Sequence, residues 1–268
     1  MQLSFTKMNG AGNDFIMLDN RDGKLSLDAS CIAWLCDRHR GVGADGILAV
    51  ETASQGADFR MRYYNADGSE AEMCGNGARC FARFARRFGP AKEKLSFETQ
   101  AGIIRASFPD DEVCVAMSDP HSWRRPATLE INGNLLEVHF INTGVPHAVI
   151  FSENVETVDV PRDGAALRNH PAFAPKGTNA NFAQVIAQDT IAIRTYERGV
   201  EGETLACGTG VCAAALLHHI RSKASSPVHV RVRGGDTLLV GFESSPSGLQ
   251  NVTLTGPADF VFDGLISL

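Results

Sequence analysis

The chain has 268 residues, 44% of them apolar and 21% charged, with a formal net charge of -6. That balance is enough for two folded cores and excludes disorder, while the acidic surplus and the absence of any run of like charge argue against nucleic acid or anionic membrane and for a small polar substrate. No stretch approaches the roughly 18 to 20 continuous apolar residues that cross a bilayer, and the opening Met1-Gln2-Leu3-Ser4-Phe5-Thr6-Lys7 reads as a strand, not a signal peptide, so cytoplasmic residence is expected.

In chain order, Phe59 to Tyr64 alternates as a strand. A helix is predicted to open after Gly77, where Phe81, Phe84, Ala85 and Phe88 repeat at i, i+3, i+4 and i+7 before Gly89-Pro90 stops it. Leu136 to Phe140 and Val228 to Arg233, the latter ahead of Gly234-Gly235, read as further strands. A second helix, Val211 to Ile220, is apolar on nearly every face, which requires protein around it on all sides.

The chain is duplicated. Met73-Cys74-Gly75-Asn76-Gly77 is answered by Ala206-Cys207-Gly208-Thr209-Gly210, and Arg62-Tyr63-Tyr64-Asn65 by Arg194-Thr195-Tyr196-Glu197. Gly12 and Gly144 are 132 positions apart, Asn65 and Glu197 also 132, and Cys74 and Cys207 133, with Glu201 the best candidate for the one inserted residue. Halves of about 130 residues suit two lobes and are too long for solenoid units. The expected fold class is therefore α+β: two pseudo-symmetric lobes facing each other across a cleft. Each is a curved, mainly antiparallel, barrel-like sheet around one central helix that carries Cys-Gly-x-Gly at its N-terminus. The division is drawn at 1–125 and 126–268, within a boundary region of residues 115 to 135, and the C-terminal strand is expected to cross back.

Seven scattered cysteines form no Cys-x-x-Cys pair and no disulfide framework, and Cys80 and Cys212 follow Cys74 and Cys207 at spacings that turn them away from a shared metal. No metal and no cofactor is expected. Cys31, Cys36, Cys80, Cys114 and Cys212 read as small core residues. Cys74 and Cys207 differ because a helix N-terminus favours the thiolate, and the glycines leave backbone N–H groups uncovered for a carboxylate. A carboxylate held at both helix starts sets its α-carbon between two sulfurs, so that one thiolate can remove a proton and the other thiol return one to the opposite face.

At these motifs the chain resembles the diaminopimelate epimerases. The resemblance runs nearly end to end, through Gly12-Asn13-Asp14-Phe15, Arg38 to Gly46, Asn65 to Glu70, Cys74 to Cys80, Pro146-His147, Gly177 to Phe182, Glu197-Arg198-Gly199 and Cys207 to Gly210. It implies a pyridoxal-independent enzyme interconverting LL- and meso-2,6-diaminopimelate on the way to lysine and peptidoglycan, usually a homodimer. It implies further that Cys74 and Cys207 are the acid/base pair, with His147 and Glu197 holding the reacting centre. Gly75, Asn76, Gly208 and Thr209 would bind the reacting carboxylate and Asn13, Asn65, Asn179 and Arg198 the distal amino acid end, and Glu197 would contact the substrate as well.

On their own residues these positions have plainer readings. Asn13, Asn65 and Asn179 could form turns, Glu197 could pair with Arg198 or a lysine on the surface, and His147 could simply open a strand. Val145, Gly46 and Glu201 depart from the family's usual pattern, which leaves open a relative acting on another amino acid, as in similar histidine racemases. A thiol redox protein and a non-catalytic amino acid-binding module also stay open.

Overall fold

A computed structural model describes residues 2–89 and 92–268; contacts divide the chain into one unit of Met1–Val115 with Gly256–Leu268 and a second of Ala116–Thr255. The sequence reading drew that division at 125 and 126.

The first unit runs β1 (Gln2–Gly10), β2 (Asn13–Asp19), α1 (Ala29–Cys36), β3 (Gly46–Glu51), β4 (Phe59–Asn65), α2 (Gly75–Ala85), β5 (Lys94–Thr99), β6 (Gly102–Ser107) and β7 (Val113–Ala116). The second runs β8 (His121–Ile131), β9 (Asn134–Asn142), β10 (Pro146–Phe151), α3 (Val160–Arg168), β11 (Asn179–Ala187), β12 (Thr190–Glu197), β13 (Gly202–Thr204), α4 (Gly208–Ser222), β14 (Val228–Arg231), β15 (Thr237–Ser245) and β16 (Gly248–Gly256). The last strand, β17 (Asp259–Ser267), pairs antiparallel with β1.

The duplication is a duplication of connectivity. In each unit a hairpin (β1–β2, β9–β10) is followed by a parallel neighbour beyond a helix (β3, β11), an antiparallel strand (β4, β12), the cysteine-bearing helix and another parallel neighbour (β5, β14). Phe15 sits opposite Gly46 in one register and His147 opposite Asn179 in the other, which keeps the sequence offset of 132 and 133. Gly12 and Gly144 follow the first strands of the two hairpins with φ of 98° and 107°, a region other residues enter at a cost, so the repeated glycines have a backbone reason.

Strand alternation sorts the core into two layers. In β2, Ile16 and Leu18 pack with Ile32, Leu35 and Cys36 of α1, while Phe15 and Met17, on the other face, are also buried. In the second unit Ala148, Ile150, Ala180 and Phe182 join Val160 and Leu167 of α3 in the corresponding cluster. Such strands are apolar continuously because both faces are covered. Helix α4 touches β9, β10, β11, β12, β14 and β15, as its apolar circumference requires.

Helix boundaries differ from the sequence reading. Helix α2 begins at Gly75, not after Gly77, and gives way at Arg86–Phe88 to a 3-10 turn; Pro90 of the expected stop lies outside the described residues. Helix α4 runs from Gly208 to Ser222 instead of 211 to 220. In both cases the glycines belong to the first turn, where the preceding cysteine takes the extended N-cap conformation. Among the described residues no helix is long and apolar enough to cross a membrane.

Candidate active site

Each cysteine is the residue on which its helix starts. Cys74 has φ -137° and ψ 124°, its carbonyl accepts from Ala78 N at 2.7 Å, and its sulfur accepts from Gly77 N at 3.5 Å. Cys207 has φ -123° and ψ 106°, and its carbonyl accepts from Val211 N at 2.8 Å. Both cysteines thus hold the position where backbone N–H groups lack intrahelical carbonyls and the macrodipole is positive, but only the Cys74 sulfur accepts a capping bond; the Cys207 side chain makes none.

An arginine–glutamate pair fixes the chain that leads into each cysteine. Arg62 on β4 reaches Glu70 at 3.2 and 3.5 Å. In the equivalent pair, Arg194 on β12 grips Glu203 with two bonds of 2.6 and 2.7 Å. The sequence aligned the two arginines but paired neither with its glutamate; Glu70 and Glu203 each stand four residues before their cysteine.

In the first unit, β2, β3 and β4 bring Asn13, Gly46 and Asn65 to one end of the sheet, where α2 also starts. Asn76 donates to Asn13 Oδ1 at 2.6 Å, Asn13 donates to Asp45 at 2.9 Å, and the fully buried Arg79 donates to Asn76 Oδ1 at 3.0 Å. Asn65 instead bonds within its own turn, through Ser69 Oγ at 3.0 Å. A side chain at Gly46 would meet the Tyr64 carbonyl at 2.5 Å, so this departure from the family pattern matches a position without room for one.

Asp14 anchors that end. It accepts two bonds from Arg38, at 2.7 and 2.9 Å, and lies 2.8 Å from the Lys7 ammonium. Burial alone would raise its pKa, but Arg38 and Lys7 outweigh it and hold the carboxyl at about 2, below its ordinary 3.8. Because the folded-state value is the lower one, the stabilisation is complete above about pH 4 and disappears as pH falls towards 2. Asp14→Asn should remove about 2 kcal/mol of this pH-dependent stability, read as a flatter acid limb in denaturant midpoints between pH 2 and 6.

In the second unit His147, Asn179 and Glu197 converge with the start of α4. His147 is fully buried and its Nε2 lies 3.0 Å from Thr209 Oγ1; Thr209 Oγ1 lies 3.6 Å from the Cys207 sulfur. Thr143 donates to the Thr209 carbonyl at 2.8 Å. Glu197 accepts from Thr204 at 3.1 Å and shares a hydrogen bond with Cys207; burial pushes its carboxyl up, against those two bonds. Glu197 is thus bonded to Thr204 and Cys207, not set in a surface pair with Arg198. Asn179 is buried, donates to the Pro146 carbonyl at 3.1 Å and accepts from Arg198 N at 2.8 Å, fixing the backbone from which Arg198 projects. Burial, with the Arg198 charge, drives the His147 imidazole down to about 3, so it is neutral at physiological pH.

The second glycine of each motif lies against different walls. A Cβ at Gly77 would meet Leu48, Cys74 and Phe15 at 3.3 to 3.4 Å, whereas one at Gly210 would lie 2.6 Å from Asn181 Oδ1 and 3.4 Å from the His147 ring. Gly210→Ala should therefore cost about 1–3 kcal/mol by overpacking. Gly77→Ala should be close to neutral, because the gain in helix propensity, about 1 kcal/mol, offsets a smaller clash. Parallel denaturant curves will separate the two.

Asn181, Thr143, Thr204 and Arg79 were not singled out from sequence. Asn181 left a trace, a second asparagine two positions after Asn179 on one strand face. Of the remaining cysteines, Cys36, Cys80 and Cys212 are buried; burial pushes Cys80 up to about 12 and Cys36 to about 11. Among the described residues no cluster of three or more His, Cys, Asp or Glu is placed to hold a metal ion.

The sequence profile described as diaminopimelate epimerase matches residues 5–123 and 139–261. The chain belongs to the diaminopimelate epimerase family. It is 43% identical to a diaminopimelate epimerase of Aquifex aeolicus (strain VF5), over 99% of this chain and 98% of that one, and 42% identical to one of Chlorobaculum tepidum, over 97% and 100%. Beyond the diaminopimelate epimerases the fold is shared more widely. A Bacillus anthracis phenazine biosynthesis protein of the PhzF family superposes with a TM-score of 0.76 at 16% identity, covering 100% of both chains. A hydroxyproline epimerase of Agrobacterium vitis does so at 0.70 and 16%, covering 100% of this chain and 93% of that one.

Proposed function

We propose that this member of the diaminopimelate epimerase family interconverts LL- and meso-2,6-diaminopimelate without a cofactor, with Cys74 and Cys207 as the acid/base pair. The observation that carries the reading is that each half of the chain sets a cysteine as the N-cap of a buried helix, inside a family match that spans the chain. One thiolate removes the α-proton and the other thiol returns one to the opposite face, with the roles exchanged in reverse. The N-terminal N–H groups at Gly75-Asn76 and Gly208-Thr209 receive the reacting carboxylate and stabilise the enediolate that replaces a cofactor's electron sink. His147 and Glu197 hold the reacting centre; Asn13, Asn65, Asn179 and Arg198 take the distal amino acid end, the guanidinium suiting a carboxylate.

The protein is taken to work in the cytoplasm as a homodimer, for which the exposed apolar side chains on β17, Val261 and Leu265 among them, offer a surface. A circular dichroism screen over free and α,ω-diamino acids tests the substrate. LL-diaminopimelate should lose signal towards an LL/meso equilibrium, and inversion of histidine with diaminopimelate untouched would overturn the assignment.

A further inference from the structure

We propose that Asn181 is a positioning residue that fixes the tautomer of His147 and, through Thr209, aims a hydroxyl hydrogen at the Cys207 sulfur. The orientation of the Asn181 amide follows from its neighbours. The carbonyl of Ala148, 2.9 Å away, can only accept, so the NH2 group faces it. On the other side the Thr195 hydroxyl donates to Asn181 Oδ1 at 3.0 Å. The same NH2 group lies 3.2 Å from His147 Nδ1 and 3.4 Å from the Asn179 carbonyl; a proton on Nδ1 would face this donor group with no lone pair to accept it, so Nδ1 is the bare, accepting nitrogen. The proton of the neutral ring is therefore on Nε2, where it donates to Thr209 Oγ1 at 3.0 Å. That bond occupies an acceptor site of the hydroxyl and leaves its hydrogen for the sulfur, 3.6 Å away. A donor aimed at the sulfur favours the thiolate.

The device exists in one half only. By the offset of the repeat, and by what lies beneath the second glycine, the counterparts of His147 and Asn181 are Phe15 and Leu48. The two cysteines of a duplicated motif thus have unequal surroundings: Phe15 and Leu48 beneath Gly77 stand where His147 and Asn181 stand beneath Gly210. Glu197 from β12 also hydrogen-bonds Cys207, and Arg198 adds positive charge near His147; β11 contributes Asn179 and Asn181.

This inference rests on the epimerase reading for its catalytic consequence but not for its test. In wild-type protein labelled with 15N-histidine, the His147 signals, assigned by their loss in His147→Gln, should show a bare Nδ1 and a protonated Nε2 between pH 6 and 9. A proton on Nδ1 overturns the proposal. In Asn181→Asp the carboxylate accepts where the amide donated, so the proton should move to Nδ1 and the hydroxyl should turn to His147. The pH midpoint of iodoacetamide labelling, mapped by peptide mass, should then rise for Cys207 and stay fixed for Cys74. If both midpoints move, or neither does, the relay is refuted; both readings need no substrate, so a failed diaminopimelate assay leaves them intact. With diaminopimelate, kcat should fall about 10- to 100-fold, the range for loss of an outer hydrogen-bond partner of a metal-bound histidine carried over to this ring, with KM nearly unchanged. Asn181→Leu, which makes no bond to Nδ1, serves if the aspartate variant does not fold: the proton should then distribute over both nitrogens, and a ring still protonated only on Nε2 would refute the relay.

Discussion

Changing Cys207 to alanine is expected to lower kcat/KM for diaminopimelate by about 10²- to 10⁴-fold, the range for loss of a positioned general acid or base. The fold should survive, since one buried sulfur is removed at a cost of about 1 kcal/mol. Cys74→Ala should behave alike, because each direction of the reaction needs one group to take a proton and another to give one. Acting as a unit, the pair should also be non-additive: the double variant should be scarcely slower than either single one. Progress curves by circular dichroism from each isomer check all three statements, and a single variant retaining half of the wild-type rate would remove that thiol from the chemistry.

The largest effect on stability is expected at Arg194. Its side chain is 9% exposed; it grips Glu203 with two bonds and also donates to the Val155 and Val158 carbonyls at 3.1 and 3.0 Å. Arg194→Met keeps the length of the stem but leaves these carbonyls without their donor and a largely buried carboxylate with only the 3.8 Å contact to Arg233, a loss of about 3 kcal/mol. The repeat supplies its own control. Arg62 and Glu70 are 39% and 31% exposed, so Arg62→Met should cost only about 0.2–1 kcal/mol. Urea midpoints on the two variants decide it, and equal losses would mean that burial does not govern these pairs. Since Glu203 stands four residues before Cys207, Arg194→Met should also depress turnover.

The duplicated connectivity was legible because the motifs recur at a constant offset, and the strands holding Phe59 to Tyr64 and Leu136 to Phe140 because alternation survives wherever one face is less buried. Helices α1 and α3 were not read. Both are short, and their signals are the N-caps Asp28 and Asp159 more than any long apolar period. The starts of α2 and α4 were read late because glycine in a first turn resembles a loop until the preceding cysteine is recognised as the cap. At the site, the residue types were visible but not their partners. Asn65 makes the turn that its composition suggested, and His147 does open a strand. Its buried bonds to Asn181 and Thr209 depend on a parallel pairing and on a helix start, about 30 and 60 positions away in the chain, that no local pattern encodes.

The central claim, proton removal and return by two different thiols, is tested most directly by running the reaction in heavy water from LL-diaminopimelate and from the meso isomer. Product formed in the first turnovers should carry one deuterium at the inverted carbon while the recovered starting isomer stays unlabelled, since the removed proton and the delivered deuteron sit on different sulfurs. Product that retains its original hydrogen, or starting isomer labelled as fast as product, would point to a single base and contradict the account.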